Sequence, residues 1–370
     1  MREIVGDARV VAIGESTHRI HEFYQLRHRL TRFLVAELGF TAFVMESGFP
    51  EGLAVDAWVR GRPGNLGDLL RHGVTYHMGT CAEMGDQLAW MRSFNASHER
   101  AVGFYGMDLP DSSASALPAV SASMEFLDEV DPAYAEVARR TLLPLFDYLP
   151  TDRTGLAWAA PTLHAYLALD PGARYELTAR IGDLVERMQA QRVVYSGRAD
   201  RERFERAYRC ASTARHMDAF PQAMAVGPER TYEGANLRDA AMAETVEWIL
   251  RREERVVIAA ANGHVQRWPF SAPPIVNDRL TTAGEHLAAS LGNEMVFIGS
   301  TLGGGELFLH RPIPGAPAGH TETFVQDMPA PDPHSLDALL ASAALPYYLV
   351  DLRKVPGGAP WPRSSRRGRR

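Results

Sequence analysis

The first fifty residues contain two short apolar segments separated by a helical pattern, and this order restricts the fold more than any other feature. Residues 8–14 (ARVVAIG) and 41–47 (TAFVMES) are apolar and partly β-branched, which is typical of strands buried on both faces. Between them, residues 20–40 place apolar side chains at helical spacing, and the helix that this spacing predicts ends at Gly39. A strand, a helix and a strand in this order form a βαβ unit, which requires parallel strands.

The same kind of apolar segment recurs along the chain. After a helix near 83–97, strands are predicted at 99–108, 254–264, 293–300 and 346–353. Helical segments or loops separate them. The sequence therefore predicts an α/β fold with a mostly parallel central sheet flanked by helices.

The middle of the chain has no strand pattern. The helical patterns there cover 118–129, 133–148, 155–168, 172–195, 201–221 and 235–252. We expect residues 112–253 to form a helical lobe that covers the carboxyl edge of the sheet. The α/β core then comprises residues 1–111 and 254–355, and a disordered basic tail comprises 356–370.

Composition excludes several classes of protein. A net charge of −6 argues against a general nucleic-acid binder, although the basic end RSSRRGRR leaves an anionic partner open as the minor alternative. Cys81 and Cys210 are too few for a disulfide framework and are expected to be buried thiols. Neither a signal peptide nor an apolar run of membrane-spanning length is visible. A soluble cytoplasmic protein without a membrane partner is expected.

Polar residues follow the predicted strands, where a parallel sheet collects its ligands. They are Glu15 and His18 after the first strand, Glu46 after the second, Asp108 after the third, and Asn262 and His264 after the fourth. Imidazole titrates near neutral pH, so His18 is the natural general base. Glu15 or Glu46 would orient it, and His264 would be a second acid or base.

Simpler roles are open for other residues of the first segment. Ser16 or Thr17 is expected to be the N-cap of the helix at 20–38. His21 and His28 lie on that helix and are expected to be packing or surface residues. Arg27 lies about two turns beyond His18 and is a candidate clamp for an anion or a carbonyl group.

Other catalytic motifs are absent from the sequence. It contains no G-x-S-x-G elbow, no H-E-x-x-H helix, no P-loop and no G-x-G-x-x-G, and the glycines of LGGGEL (302–307) are interpreted as a turn. A metal ion remains an alternative, because the side chains of four residues are plausible ligands: Glu15, His18, Glu46 and His264. The leading hypothesis needs neither a metal nor a cofactor.

These residues resemble a known family. The stretch VVAIGESTHRIHEFYQLRHRLTRFLVAELGFTAFVMES, together with GFYGMDLP, NLRDAAMAETVEWIL and ANGHVQR, is similar to the erythromycin esterase family, which includes macrolide-inactivating hydrolases. The resemblance spans most of the chain. It implies an α/β core with a helical lobe, and metal-independent hydrolysis by an activated water.

The resemblance also implies roles for individual residues. His18 matches the base of the family, Glu15 and Glu46 its essential carboxylates, Arg27 its active-site arginine and His264 its late histidine. The histidine of the first motif is usually followed by glycine, whereas Arg19 stands here, and the first histidine of the late His-Asn-x-His motif is replaced by Ala261.

We expect Arg27, Arg19, Asp108 and Asn262 to bind substrate, and His18, Glu15, Glu46 and His264 to be catalytic. The predicted function is hydrolysis of an ester or lactone in a small-molecule natural product, as in antibiotic resistance. Two alternatives stay open: a biosynthetic tailoring enzyme that performs elimination, cyclisation or acyl transfer at a related site, and a non-catalytic binding homologue.

Overall fold

The computed structural model describes residues 1–151, 159–225, 231–272, 276–316, 320–345 and 347–355. The predicted tail at 356–370 and the first residues of the predicted helix at 155–168 lie outside these ranges. In the described part, the strands are β1 Val10–Glu15, β2 Ala42–Gly48, β3 Gly103–Asp108, β4 Val256–Ala261, β5 Phe270–Ala272, β6 Val276–Leu280, β7 Met295–Ile298, β8 Glu306–Pro312 and β9 Thr321–Asp327.

Helices make up most of the remaining regular structure. They are α1 Arg2–Val5, α2 His21–Leu38, α3 Phe49–Val59, α4 Leu66–His72, α5 Ala82–Ser97, α6 Pro110–Ser113, α7 Leu117–Val130, α8 Pro132–Leu142, α9 Ala159–Leu167, α10 Pro171–Ala190, α11 Arg192–Arg198, α12 Arg201–Ala225, α13 Thr231–Leu250, α14 Asn262–Val265, α15 Ala283–Leu291 and α16 Leu336–Ala341. Short 3-10 turns occupy Leu143–Phe146, Gly292–Glu294 and Leu352–Lys354.

Five strands form one parallel sheet in the order β3-β2-β4-β1-β7. The predicted α/β fold with a mostly parallel sheet is therefore confirmed. Strand β4 lies between β1 and β2, so the carboxyl ends of β1, β4, β2 and β3 follow one another along one edge. The polar residues that follow these strands are brought to the same place.

Side-chain alternation in the strands builds a core on each face of the sheet. Val11 and Ile13 of β1 pack on the face covered by α2 and α5, whereas Val10 and Ala12 pack on the face covered by α13 and α15. Both sets are buried, which is the pattern of a parallel sheet with helices on both sides. Helix α2 stops at Gly39, which has a φ of 70°, and the N–H of Phe40 donates to Leu34 O at 3.1 Å.

A third hydrophobic core lies within the helices of the middle region. It joins apolar side chains of α7, α8, α10, α11 and α12, and every described element between residues 117 and 250 is helical. Helix α13 also packs on the sheet through Met242, Val246 and Ile249. On this basis we propose that residues 112–253 act as the predicted lobe, with α13 joining it to the sheet.

Three predictions about local structure are wrong. Residues 347–351 form no strand; their apolar side chains are exposed, as with Tyr347 at 68%, and so lack the burial that gives a strand its stability. The fourth strand stops at Ala261, since 262–265 turn into α14. Ser16 and Thr17 do not cap α2, because the N-cap residue is Ile20.

The structure also has antiparallel hairpins β5–β6 and β8–β9 that the sequence analysis did not predict. Over the described ranges, none of the helices combines the length and apolar character needed to cross a membrane.

Candidate active site

The carboxyl ends of β1 and β2 place Glu15 and Glu46 on either side of β4. Glu15 is in register with Ala261 of β4, and the Ala261 N–H donates to Glu46 Oε2 at 2.7 Å. Both carboxylates are buried, with exposures of 5% and 4%. A buried carboxylate is costly unless it is paired, so each must find a partner at this edge.

The end of β2 is bulged. Its register with β3 shifts between Met45 and Gly48, so that one extra residue of β2 lies opposite Met107. Gly106 of β3 makes the bulge possible, because a Cβ there would lie 2.2 Å from Gly48 O. The carboxylate of Glu46 therefore emerges at a distortion that requires glycine in the neighbouring strand.

His18 lies directly over the two carboxylates. Its Nδ1 is 2.7 Å from Glu15 Oε1, and its Nε2 is 3.8 Å from Glu46 Oε1. Since an ionised carboxylate only accepts, Nδ1 carries the proton and the lone pair of Nε2 faces Glu46. The side chain is 39% exposed, so water reaches it.

The surroundings of His18 adjust its acidity. Burial disfavours the charged imidazolium, but the hydrogen bond to Glu15 and the charges of Glu46 and Glu15 outweigh this effect and raise its pKa. The imidazolium that forms when His18 accepts a proton is therefore stabilised in place.

Arg27 stands behind Glu15. Its Nη1 lies 3.5 Å from Glu15 Oε2, its guanidinium stacks 4.0 Å from the Tyr24 ring centre, and only 3% of the residue is exposed. Among the described residues, its Nε and Nη2 have no hydrogen-bond partner. Arg27 thus neutralises Glu15 from the protein side.

A second arginine, Arg238 of α13, connects the ends of β2 and β3. Its Nε donates to Asp108 Oδ1 at 2.9 Å, and its Nη2 lies 2.5 Å from Asp108 Oδ2 and 3.3 Å from Glu46 Oε1. The two-point contact with Asp108 is the strong, planar form of this pairing. Although burial opposes ionisation of the Asp108 carboxyl, the Arg238 guanidinium holds its pKa below the usual value.

His264 of α14 completes the cluster. Its Nδ1 is 3.0 Å from both carboxylate oxygens of Asp239, and its Nε2 is 3.3 Å from Arg238 Nη1 and 3.4 Å from Glu46 Oε1. Burial and Arg238 lower its pKa, but Glu46 and Asp239 prevail, so the pKa is raised. Asp239 also accepts from the Ala283 N–H at 2.8 Å, which fixes its position.

Left-handed backbone occurs both in the loop that carries Tyr76 and in the short element α6, whose serines contact Tyr76. The Tyr76 hydroxyl donates to Asp108 Oδ2 at 2.9 Å and lies 2.6 Å from Ser113 Oγ, while the Tyr76 N–H donates to Ser112 Oγ at 2.9 Å. Tyr76 has a φ of 58°, and residues 111–113 have φ values of 57–58°. Such backbone costs non-glycine residues about 1 kcal/mol or more each, and it concentrates at functional sites.

The other predicted site residues lie further out. The amide of Asn262 is held by the backbone of Ser300, to which its Nδ2 donates at 2.8 Å. Arg19 is exposed at the mouth of the site and donates from Nη2 to Tyr76 O at 3.0 Å. As predicted, His21 and His28 are surface and packing residues: His21 pairs with Glu83, and His28 packs on Trp90.

Sequence reasoning missed Arg238, Asp239 and Tyr76. The one available signal was the pair Arg238–Asp239 within NLRDAAMAETVEWIL, where opposite charges interrupt a mostly apolar helix. Tyr76 gave no signal.

The two cysteines were expected to be buried. Cys210 is buried, whereas Cys81 is half-buried.

Within the described ranges, no three His, Cys, Asp or Glu side chains are arranged to hold a metal ion. The guanidinium of Arg238 lies between Glu46 and Asp108, where it supplies the positive charge that the two carboxylates need.

A buried acid, Glu51, supports the left-handed backbone of α6. Its Oε1 accepts from the Asp111 N–H at 2.6 Å, whereas its Oε2 is buried without a partner among the described residues. Burial, aided by the charges of Asp111 and Asp108, raises the pKa of Glu51 to about 7. Protonated Glu51 is therefore the form that the fold prefers.

Substituting Glu51→Gln is expected to stabilise the protein above neutral pH. The native state holds a proton that the unfolded chain releases near pH 4.5, so the wild type loses stability as pH rises from about 4.5 to about 7. The loss is about 3 kcal/mol, at about 1.4 kcal/mol per pKa unit. Denaturant unfolding at pH 5 and pH 8 checks this: the variant should gain at pH 8, and an equal effect at both pH values would contradict it.

Comparison with known proteins agrees with this architecture. The family model described as erythromycin esterase matches residues 35–370. Erythromycin esterase type II of Escherichia coli is 28% identical over 316 residues, which cover 81% of this chain and 70% of that protein. Erythromycin esterase type I of Escherichia coli is 24% identical over 326 residues, covering 86% and 76%.

Solved structures share the fold. A Bacillus cereus protein superposes with a TM-score of 0.77 at 22% identity, covering 96% of this chain and 79% of that one. A mutant of the erythromycin esterase EreC, in its open conformation, superposes with a TM-score of 0.74 at 20% identity, covering 93% and 82%. A succinoglycan biosynthesis protein gives 0.72 at 19% identity, covering 94% and 76%. With the match of the family model over most of its length, the chain belongs to the erythromycin esterase family.

Proposed function

We propose that the protein hydrolyses an ester or lactone of a small natural product by direct attack of water, without a metal ion. The observation that carries this proposal is the position of His18, whose Nδ1 is held by Glu15 while Nε2 faces Glu46. Family membership supports an esterase-like hydrolase, and the names of the Escherichia coli relatives make erythromycin a substrate to test.

A water molecule bonded to both His18 Nε2 and Glu46 Oε1 is positioned for attack. One of its hydrogens points to Nε2 and the other to Oε1, which leaves an oxygen lone pair free to face a carbonyl carbon. As the new C–O bond forms, Nε2 takes the proton, and Glu15 stabilises the resulting imidazolium. Hydrogen bonding to Glu15 fixes the orientation of the ring throughout the step.

The groups on the other side of Glu46 are suited to the negative charge that develops. Arg238 is cationic, the raised pKa of His264 favours its cationic form, and side-chain exposures of 18% and 20% leave both groups partly open to solvent. Both are fixed before substrate binds, by Asp108 and by Asp239, so little reorganisation is needed. We propose that they stabilise the oxyanion and that His264 Nε2–H protonates the leaving alkoxide.

A single turnover in ¹⁸O-labelled water tests the proposal. Enzyme in excess over erythromycin or a simple ester is expected to give an acid product with one labelled oxygen, with undiminished turnover after EDTA treatment. Attack by a carboxylate of the enzyme would instead leave the first product unlabelled. A mass-neutral or dehydrating change without label would contradict hydrolysis and favour a tailoring reaction.

A further inference from the structure

A cavity of about 170 Å³ opens beside the site, and the mechanism above does not use it. Its lining includes Arg19, His21, Tyr24, His77, Thr80 and Glu83. Tyr24 of this lining stacks on Arg27, which pairs with Glu15, and Arg19 directly follows His18 in the chain. The cavity is therefore positioned to hold a part of the substrate that does not react.

Arg19 is the unusual member of this lining. Arg238 and Arg27 each face a carboxylate, whereas Arg19 forms no ion pair with any residue that the structure describes. Its contact is with the carbonyl oxygen of Tyr76, at 3.0 Å from Nη2. A guanidinium with free donors beside a cavity can bind a carboxylate through two parallel hydrogen bonds.

The backbone at Arg19 adds a second observation. Its φ of 65° lies in the left-handed region, where arginine is strained and glycine is not. From this backbone position the Arg19 side chain reaches the carbonyl oxygen of Tyr76. Because Tyr76 also reaches Asp108 and Arg238 through its hydroxyl, Arg19 and the catalytic cluster are connected through this one residue.

The charges around Arg19 do not cancel its own. Glu83 is the acid of the cavity lining, and it is paired with His21. His77 and His310 lie near enough that, after burial, the positive charge of Arg19 is the next cause that lowers their pKa values. They stay neutral hydrogen-bonding groups near pH 7, and Arg19 remains the free cation of the described lining.

We propose that Arg19 is a specificity-determining residue that binds a carboxylate group on the substrate, so that the enzyme prefers anionic esters. His77 would assist as a neutral donor. The proposal rests on the proposed esterase function and defines its substrate class. It also predicts that substrates with a cationic substituent at this position bind poorly, because they meet a guanidinium that no acid neutralises.

A matched series of aryl acetates tests the preference: 4-acetoxybenzoate, its neutral methyl ester, and 4-acetoxyphenyltrimethylammonium. Comparing kcat/KM of wild type and variant for each ester cancels its intrinsic reactivity. In Arg19→Gly, the anionic-to-neutral ratio is expected to fall about fivefold to tenfold, mainly through KM. Arg19→Lys should retain part of the preference. Arg29→Ala, which removes an exposed arginine of α2, should not change the ratio.

A binding measurement separates this proposal from the esterase function. Calorimetric titration with 4-acetamidobenzoate, which carries an amide in place of the ester, is expected to show affinity that weakens about fivefold to tenfold in Arg19→Gly and at high salt. Arg19-dependent binding without ester turnover would keep the carboxylate site and overturn hydrolysis. Ester turnover with equal ratios in wild type and Arg19→Gly, and equal binding of the amide, would overturn the carboxylate site.

Discussion

His18→Ala is expected to lower kcat/KM for an ester substrate by about 10²–10⁴-fold, the usual contribution of a positioned general base. The loss should appear in kcat, because in the proposed mechanism the imidazole acts on the attacking water and its proton. The variant should unfold at nearly the same temperature as the wild type, since the side chain is 39% exposed and Glu15 keeps its pairing with Arg27. Steady-state kinetics and thermal unfolding, measured on the same preparations, check both parts.

His72→Ala is a suitable control, because His72 is an exposed histidine at the end of α4. Its substitution should leave kinetics unchanged. An active His18→Ala, within threefold of the wild type, would show that another group activates the water.

The pH profile separates a positioning role of Glu15 from a merely structural one. His18 must be neutral to accept a proton, and its raised pKa places the acidic limb of kcat/KM above pH 6.5. Replacing Glu15 by Gln removes a charge and a hydrogen bond that raise this pKa, so the limb should move to lower pH. If the acidic limb of kcat/KM stays at the same pH in Glu15→Gln, the limb does not report the protonation of His18.

Among the variants proposed here, Arg238→Gln is expected to lower the free energy of unfolding most, by about 3–5 kcal/mol, because it leaves buried carboxylates without their cation. Asp108 is 1% exposed and Glu46 is 4% exposed, so solvent cannot replace the guanidinium. Activity should be lost as well, since the proposed oxyanion loses a cationic partner. Denaturant unfolding at pH 7 measures the first effect. The exposed pair of Arg203 and Glu129 gives the control, because Arg203→Ala should cost less than about 1 kcal/mol.

Two further measurements identify the cause of that loss. The double variant Arg238→Gln/Asp108→Asn should be less destabilised than the sum of the single variants, since the second change removes a charge left unpaired by the first. Without Arg238, the pKa of Asp108 rises, so lowering the pH should reduce the deficit of Arg238→Gln. Additive losses with no pH dependence would indicate packing defects instead.

The parallel sheet and the positions of Glu15, Glu46, Asp108 and His264 at its carboxyl edge could be predicted because both follow from local patterns. Apolar β-branched runs locate the strands, and the end of a strand fixes where the next polar side chain lies. The failure at 346–353 has the same origin. A run of apolar residues such as YYLV forms a strand only where a neighbouring strand pairs with it and a helix covers its side chains. The local sequence does not show whether either is present.

Arg238 and Tyr76 could not be predicted because long-range packing brings them to the sheet. Arg238 lies on α13, about 130 residues from Asp108 in the chain, and helical periodicity describes only which face of α13 is buried. Tyr76 depends on left-handed backbone that no residue type in its loop requires. The N-cap was mispredicted for a related reason: Ser16 and Thr17 precede α2, but the chain turns at Arg19 before the helix begins at His21.

The contact at Gly106 has a consequence for how such an enzyme diversifies. A methyl group at position 106 would overlap Gly48 O and Ser47 O, so even alanine must push β2 away from β3 and displace Glu46. Position 19 is a surface loop position that already tolerates a long side chain. In a library that randomises both positions, selection on esters of different charge should return glycine alone at 106 in every case, and different residues at 19 according to the charge of the ester. New substrate preferences would then arise by substitution at position 19, while the position of Glu46 stays the same.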